Sequence, residues 1–187
     1  MLIQSLAVFC GSKNGNNELF ATHTRELGAL MAQHHIALVY GGGSVGIMGI
    51  IADSVMQNGG KVVGIIPQIL VNQERQHKNI TELLVVEDMH IRKRKMYDLA
   101  DAAIILPGGF GTLDELFEMV TWNQLSIHDK QIFLLNSDGF YDHLIAHIYK
   151  MKEEGFLYQE AFDRITVLNE PKELIEYFNP MGSGGQI

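Results

Sequence analysis

Cysteine is nearly absent. Cys10 stands alone in a chain of 187 residues, so a disulfide framework is excluded and a reducing cytoplasm is the expected home. Positive charge is scarce too. With 14 Lys and Arg against 22 Asp and Glu, the formal net charge is -8, which argues against sequence-independent binding to nucleic acid or to an anionic membrane. No apolar run is long enough to span a bilayer. Met1 to Gln4 lead straight into a strand pattern, with neither a basic n-region nor a cleavage site. Linkers and internal repeats are missing as well. At 47% hydrophobic and 19% charged, the chain reads as one globular domain over 1–180 with a sizeable core, followed by a frayed, glycine-rich tail over 181–187.

What the chain does have is glycine at the ends of strands. Apolar runs predict strands over 5–10, 36–40, 61–66, 83–86, 102–106, 131–135 and 165–168. Helical spacing predicts helices over 18–34, 46–58, 89–100, 140–153 and 171–178, with one more after the turn at 107–111. Residues 68–80 read as polar and irregular. Strands alternating with helices imply an α/β, doubly wound, Rossmann-like fold: a mostly parallel sheet of about seven strands with helices on both faces. Ligands of such sheets bind outside the carboxyl ends of the strands. Gly11-Ser12, the loop 41–46, Pro67 and the loop 107–112 all follow strands, so one rim gathers the glycines.

The stretch Pro107-Gly108-Gly109-Phe110-Gly111-Thr112-Leu113-Asp114-Glu115 is the centre of the reading. Three glycines let backbone N–H groups approach a ligand, and the following helix N-terminus favours an anion such as phosphate. Thr112 can cap that helix, and Thr112-x-x-Glu115 then also matches a purely structural capping box. Leu113, Leu116, Phe117 and Val120 form the expected core stripe, with Glu115, Glu118, Met119 and Trp122 on another face. Two carboxylates at i,i+3 repel, which a pocket or a subunit interface would explain.

Gly41-x-Gly43-x-x-Gly46 has the form of a dinucleotide fingerprint. The strand after it ends Gly64-Ile65-Ile66-Pro67, without the carboxylate that would hold a ribose, and no Walker A ending is present. Phosphate binding survives; a full NAD site does not. Arg92-Lys93-Arg94-Lys95 is a basic island in which Arg94 is solvated, while Arg92 shares an apolar stripe with Met96 and Leu99. A buried guanidinium needs a carboxylate or a phosphate, and Glu115 is the expected neighbour. His143 and His147 lack a third metal ligand, and neither a Gly-x-Ser-x-Gly elbow nor a base for Cys10 is found.

These residues resemble the PGGxGTxxE signature of the LOG (Lonely Guy) family, the cytokinin riboside 5′-monophosphate phosphoribohydrolases. Gly11-Ser12, Tyr40-Gly41-Gly42-Gly43-Ser44-Val45-Gly46-Ile47-Met48-Gly49, Met89-His90-Ile91-Arg92-Lys93 and Thr121-Trp122-Asn123-Gln124-Leu125-Ser126-Ile127-His128 are similar to family segments, in family order. The resemblance implies cleavage of a nucleoside 5′-monophosphate, a cytokinin riboside monophosphate or AMP, to free base and ribose 5-phosphate, with no metal and no cofactor. It implies Arg92 and Glu115 as the catalytic pair, and Gly108, Gly109, Gly111 and Thr112 as the phosphate cradle. Glu74, Lys93 and Thr121 follow as further substrate contacts, with Ser12 and Gly43 at the rim. A homodimer is implied for a chain this short. Phe110 stands where Tyr is common, and Ser126 where Gly is common.

Relatives often carry the label "lysine decarboxylase", but no lysine is placed at the rim with the partner that a Schiff-base cofactor needs. Hydrolysis fits better. A carboxylate beside the anomeric carbon stabilises an oxocarbenium-like sugar and orients water. A mononucleotide-binding sensor without activity is the rival, and an NAD(P)-linked oxidoreductase is a weaker one.

Overall fold

The five inner strands of the sheet are short and mostly apolar, as strands covered on both faces must be, while the two edge strands, 82–86 and 165–168, are only partly buried. In the computed structural model, which describes residues 3–71, 76–158 and 162–178, seven parallel strands form one sheet. The chain runs β1 (Ser5–Phe9), α1 (Glu18–Gln33), β2 (Ala37–Tyr40), α2 (Gly46–Gln57), β3 (Val62–Pro67), β4 (Glu82–Val86) and α3 (Met89–Leu99). It continues through β5 (Ala102–Ile105), α4 (Phe110–Gln124), β6 (Ile132–Leu135), α5 (Asp142–Glu153), β7 (Ile165–Leu168) and α6 (Ile175–Phe178). The tail over 181–187 lies outside the described residues.

Strand order is β4-β3-β2-β1-β5-β6-β7. The chain works outward from β1 to β4, and α3 then carries it back past β1 to β5. Connections therefore leave β1 and β5 in opposite directions, and the crevice between their carboxyl ends is where ligands of doubly wound sheets sit. The two ends are bonded together: Leu106 N donates to Phe9 O at 2.9 Å and Gly11 N to Pro107 O at 3.1 Å.

Alternation along each strand feeds two cores. Leu6, Val8, Leu38 and Ile104 pack on the side of α1 and α2, together with Leu174 and Phe178. Ala7, Phe9, Val39 and Ile105 pack on the other side with residues of α3, α4 and α5. Residues 68–70, expected to be irregular, form a turn of 3-10 helix. Among the described residues no helix is long and apolar enough to cross a membrane.

Two helix faces differ from the sequence pattern. On α3 the buried residues are Arg92, Lys93, Met96 and Tyr97, and Leu99 is 46% exposed, so the stripe is rotated toward Lys93. On α4 the buried residues are Thr112, Leu116 and Met119, while Phe117, expected in the core, is exposed. Periodicity gives the spacing of a stripe but not which of two overlapping stripes meets the sheet. Contact between Thr112 and Gly108 sets the phase of α4: a Cβ on Gly108 would stand 2.1 Å from Thr112 Oγ1.

Candidate active site

Helix α4 begins earlier than a threonine cap would place it. Gly109 is its N-cap, with no side-chain bond, and the first turn runs from Phe110. Thr112 is therefore inside the helix and buried, so it is not the cap, and no capping box ties it to Glu115. The N–H groups of the first turn have no intrahelical partner. Leu113 N makes the first helical bond, to Gly109 O at 3.1 Å.

The three glycines divide their work. Gly108 is needed for packing: its missing Cβ would collide with Thr112 Oγ1 and approach Gly11 N to 2.9 Å. At Gly109 and Gly111 a Cβ would meet nothing within 4 Å. That open space beside uncapped N–H groups is room for an anion at the positive end of a helix.

This turn forms one wall of a cavity of about 520 Å³. Ser12, Gly108, Gly109, Gly111 and Thr112 line it, and so do Arg92 and Glu115. Arg92 is only 5% exposed. Its Nη2 donates to Gly41 O at 3.2 Å, and Nη1 approaches Met89 Sδ at 3.6 Å. Apolar side chains also wall the cavity, Phe20, Met48, Leu70 and Phe140 among them; the rings of Phe20 and Phe140 meet edge to face at 5.4 Å. Phe20 shows in the sequence only as one apolar position of a helix, so this wall was not legible there. Tyr141 OH supports the site from behind, donating to Leu106 O at 2.7 Å just before the glycine turn, and burial pushes its phenol pKa up.

Other expected contacts lie elsewhere. Gly43 does not line the cavity; it bridges to Gln76, and Gly41 takes the place at the wall. Gly46, at φ 62°, packs against the backbone of Ser12 and so locks the loops after β1 and β2 together. Thr121 is exposed on α4 and away from the cavity. Glu74 lies outside the described residues. Lys93 is 8% exposed but faces α4 instead of the cavity, with Nζ 2.8 Å from Glu118 Oε2 and 3.0 Å from Asp114 Oδ2. Among the described residues Lys13 also lines the cavity. It is exposed at the mouth of the cavity.

A parallel sheet with an open, uncapped helix start, a buried arginine and a carboxylate at its switch point is an arrangement in which α/β proteins can hold a phosphorylated ligand. A profile of the family described as "Possible lysine decarboxylase" matches residues 48–178. A probable cytokinin riboside 5′-monophosphate phosphoribohydrolase of Oryza sativa subsp. japonica is 45% identical over 180 residues, covering 94% of this chain and 74% of that protein. A cytokinin riboside 5′-monophosphate phosphoribohydrolase of Arabidopsis thaliana is 44% identical over 171 residues, covering 91% and 80%. The chain belongs to this family, the LOG phosphoribohydrolases. Among solved structures, the molybdenum cofactor binding protein of Rippkaea orientalis superposes with a TM-score of 0.72 at 21% identity, over 97% of this chain and 98% of that one. At that identity the likeness is one of fold.

Proposed function

We propose that this protein hydrolyses the N-glycosidic bond of a nucleoside 5′-monophosphate, a cytokinin riboside monophosphate or AMP, to free base and ribose 5-phosphate. The observation that carries the reading is the uncapped, open first turn of α4 in the same cavity as Arg92 and Glu115. Phosphate at Gly109, Gly111 and Thr112 anchors the substrate away from the reacting bond. Glu115, one turn further along α4, then stands beside the anomeric carbon. There it stabilises the oxocarbenium-like sugar and orients the attacking water. Arg92 positions the ribose and phosphate against it. The apolar wall takes the base.

Named relatives at 40% to 49% identity support the same activity. We further infer a homodimer in a reducing cytoplasm. Phe117, Leu125, Ile127 and Leu99 are 41%, 63%, 52% and 46% exposed and would be covered by a second copy.

The test is product analysis after incubation with AMP and with N6-isopentenyl-AMP. Free base and ribose 5-phosphate are expected from the wild type, with none from Glu115→Gln or Arg92→Ala of unchanged fold. Adenosine should be turned over poorly, since the anchoring phosphate is missing. Bound but uncleaved nucleotide would mean a sensor, and base release by folded Glu115→Gln at the wild-type rate would remove Glu115 from the mechanism.

A further inference from the structure

Behind the cavity, α3 and α4 are joined by polar side chains that the hydrolytic step does not itself use. Lys93 follows Arg92 in the chain, but a rotation of about 100° per residue turns it toward α4. Its ammonium meets Glu118 at 2.8 Å and Asp114 at 3.0 Å. Tyr97, one turn along α3, places its hydroxyl 3.1 Å from Glu118 Oε2 and 3.3 Å from the carbonyl oxygen of Glu115. A phenol has one proton, shared here between the two acceptors. The Tyr97 ring is clamped by Phe9 at 5.7 Å and Trp122 at 4.6 Å.

We propose that Lys93, Glu118 and Tyr97 are positioning residues that hold Arg92 and Glu115 in register across the contact between α3 and α4, an inference that rests on the hydrolase reading above. The members reach the pair through adjacent residues or through its backbone. Lys93 neighbours Arg92 and grips Asp114, which precedes Glu115; Tyr97 reaches the Glu115 carbonyl directly. The network also answers why two carboxylates at i,i+3 are tolerated on α4: Glu118 is neutralised by Lys93 and accepts from Tyr97. Burial alone would lower the Lys93 pKa, but its bonds to Glu118 and Asp114 outweigh that and hold it above its ordinary value. Lys93 therefore stays charged through the working range. The same burial pushes the Tyr97 phenol far up, with Glu118 and Glu115 adding to it, so it remains a donor.

A substrate-contacting lysine and a positioning lysine predict different kinetics. Lys93→Met should lower kcat on AMP by about tenfold or more, since even a 1 Å misplacement of reacting groups can cost ~10²-fold. The affinity for ribose 5-phosphate should change by less than about threefold. Lys93→Arg, which keeps the charge and can reach both carboxylates, should restore most of kcat. Tyr97→Phe keeps the clamped ring and removes only the hydroxyl. It should lower kcat, and less than additively in the Lys93→Met background, because both act through Glu118. If Lys93→Met does not fold, Tyr97→Phe carries the test alone. Unchanged kcat in both folded variants, or a loss confined to ribose 5-phosphate affinity, overturns the positioning role while leaving the hydrolase reading intact. A wild type that releases no base takes both readings down together.

Discussion

The guanidinium of Arg92 occupies the place where Gly41 would otherwise carry a side chain: a Cβ there would stand 1.9 Å from Arg92 Nη2. The same nitrogen donates to Gly41 O at 3.2 Å. Glycine at the end of β2 is thus the condition for arginine on α3 to enter the cavity.

Gly41→Ala is therefore expected to spare the fold and harm the reaction. The atom it strikes is the far end of a flexible side chain, so the melting temperature should fall by only a few degrees. Turnover of AMP should drop on the order of 10²-fold as the guanidinium is pushed aside. Calorimetry and product chromatography on one preparation check both halves.

The glycines after β5 should separate in the opposite sense. Gly111→Ala adds a methyl into open space in the first turn of the helix, so it should stabilise by some fraction of the ~1 kcal/mol that Gly-to-Ala is worth in a helix interior. It should nonetheless weaken ribose 5-phosphate binding about tenfold, because the methyl would fill the place proposed for the phosphate. Gly108→Ala, which meets Thr112 and Gly11, should destabilise outright. Thermal melts with and without ribose 5-phosphate distinguish the three proteins. An unweakened Gly111→Ala would move the phosphate away from this turn.

Ser126 is strained where glycine would not be. It sits at φ 56°, just past the end of α4, with Ser126 N bonded to Asn123 O at 3.0 Å and Ile127 N to Trp122 O at 2.9 Å. This is the Schellman arrangement, whose left-handed residue is usually glycine. Ser126→Gly should raise stability by about 1 kcal/mol, or ~2–4 °C in melting temperature, without altering kcat.

Acid should loosen the same corner. Burial, and next the charge on Lys130, lower the pKa of His128, while Asp129 acts weakly the other way. Its Nδ1 accepts from Lys130 N at 3.4 Å and its ring lies 6.1 Å from Trp122, so the neutral form is the one that fits. The unfolded chain then binds this proton more readily than the folded one, and stability falls as pH drops below the ordinary imidazole value of about 6.5. Above that value the contribution is complete. Melts of wild type and His128→Gln between pH 7.5 and 5 should show the wild type losing more. Parallel curves would remove His128 as the cause.

Order and type of the elements were legible from the chain alone, because apolar strand runs and helical stripes are local patterns that burial on both faces of a sheet imposes. The glycine rim was legible for the same reason: each turn directly follows a strand, and parallel strands bring their ends together. Arg92 was expected to point inward and does, since an arginine on an apolar stripe has only the sheet edge to face. Tertiary structure alone decided the rest. Which stripe of α4 meets the sheet depended on Thr112 closing on Gly108 across the turn. The destination of Lys93 depended on acids 21 and 25 residues away in sequence, Asp114 and Glu118, that reach it only when α3 and α4 pack together. Gly41 rather than Gly43 became the wall of the cavity because a guanidinium from another element filled one place and Gln76 paired with the other. Spacing along a chain sets faces, but contacts between elements select among them, and a functional site is made of those contacts.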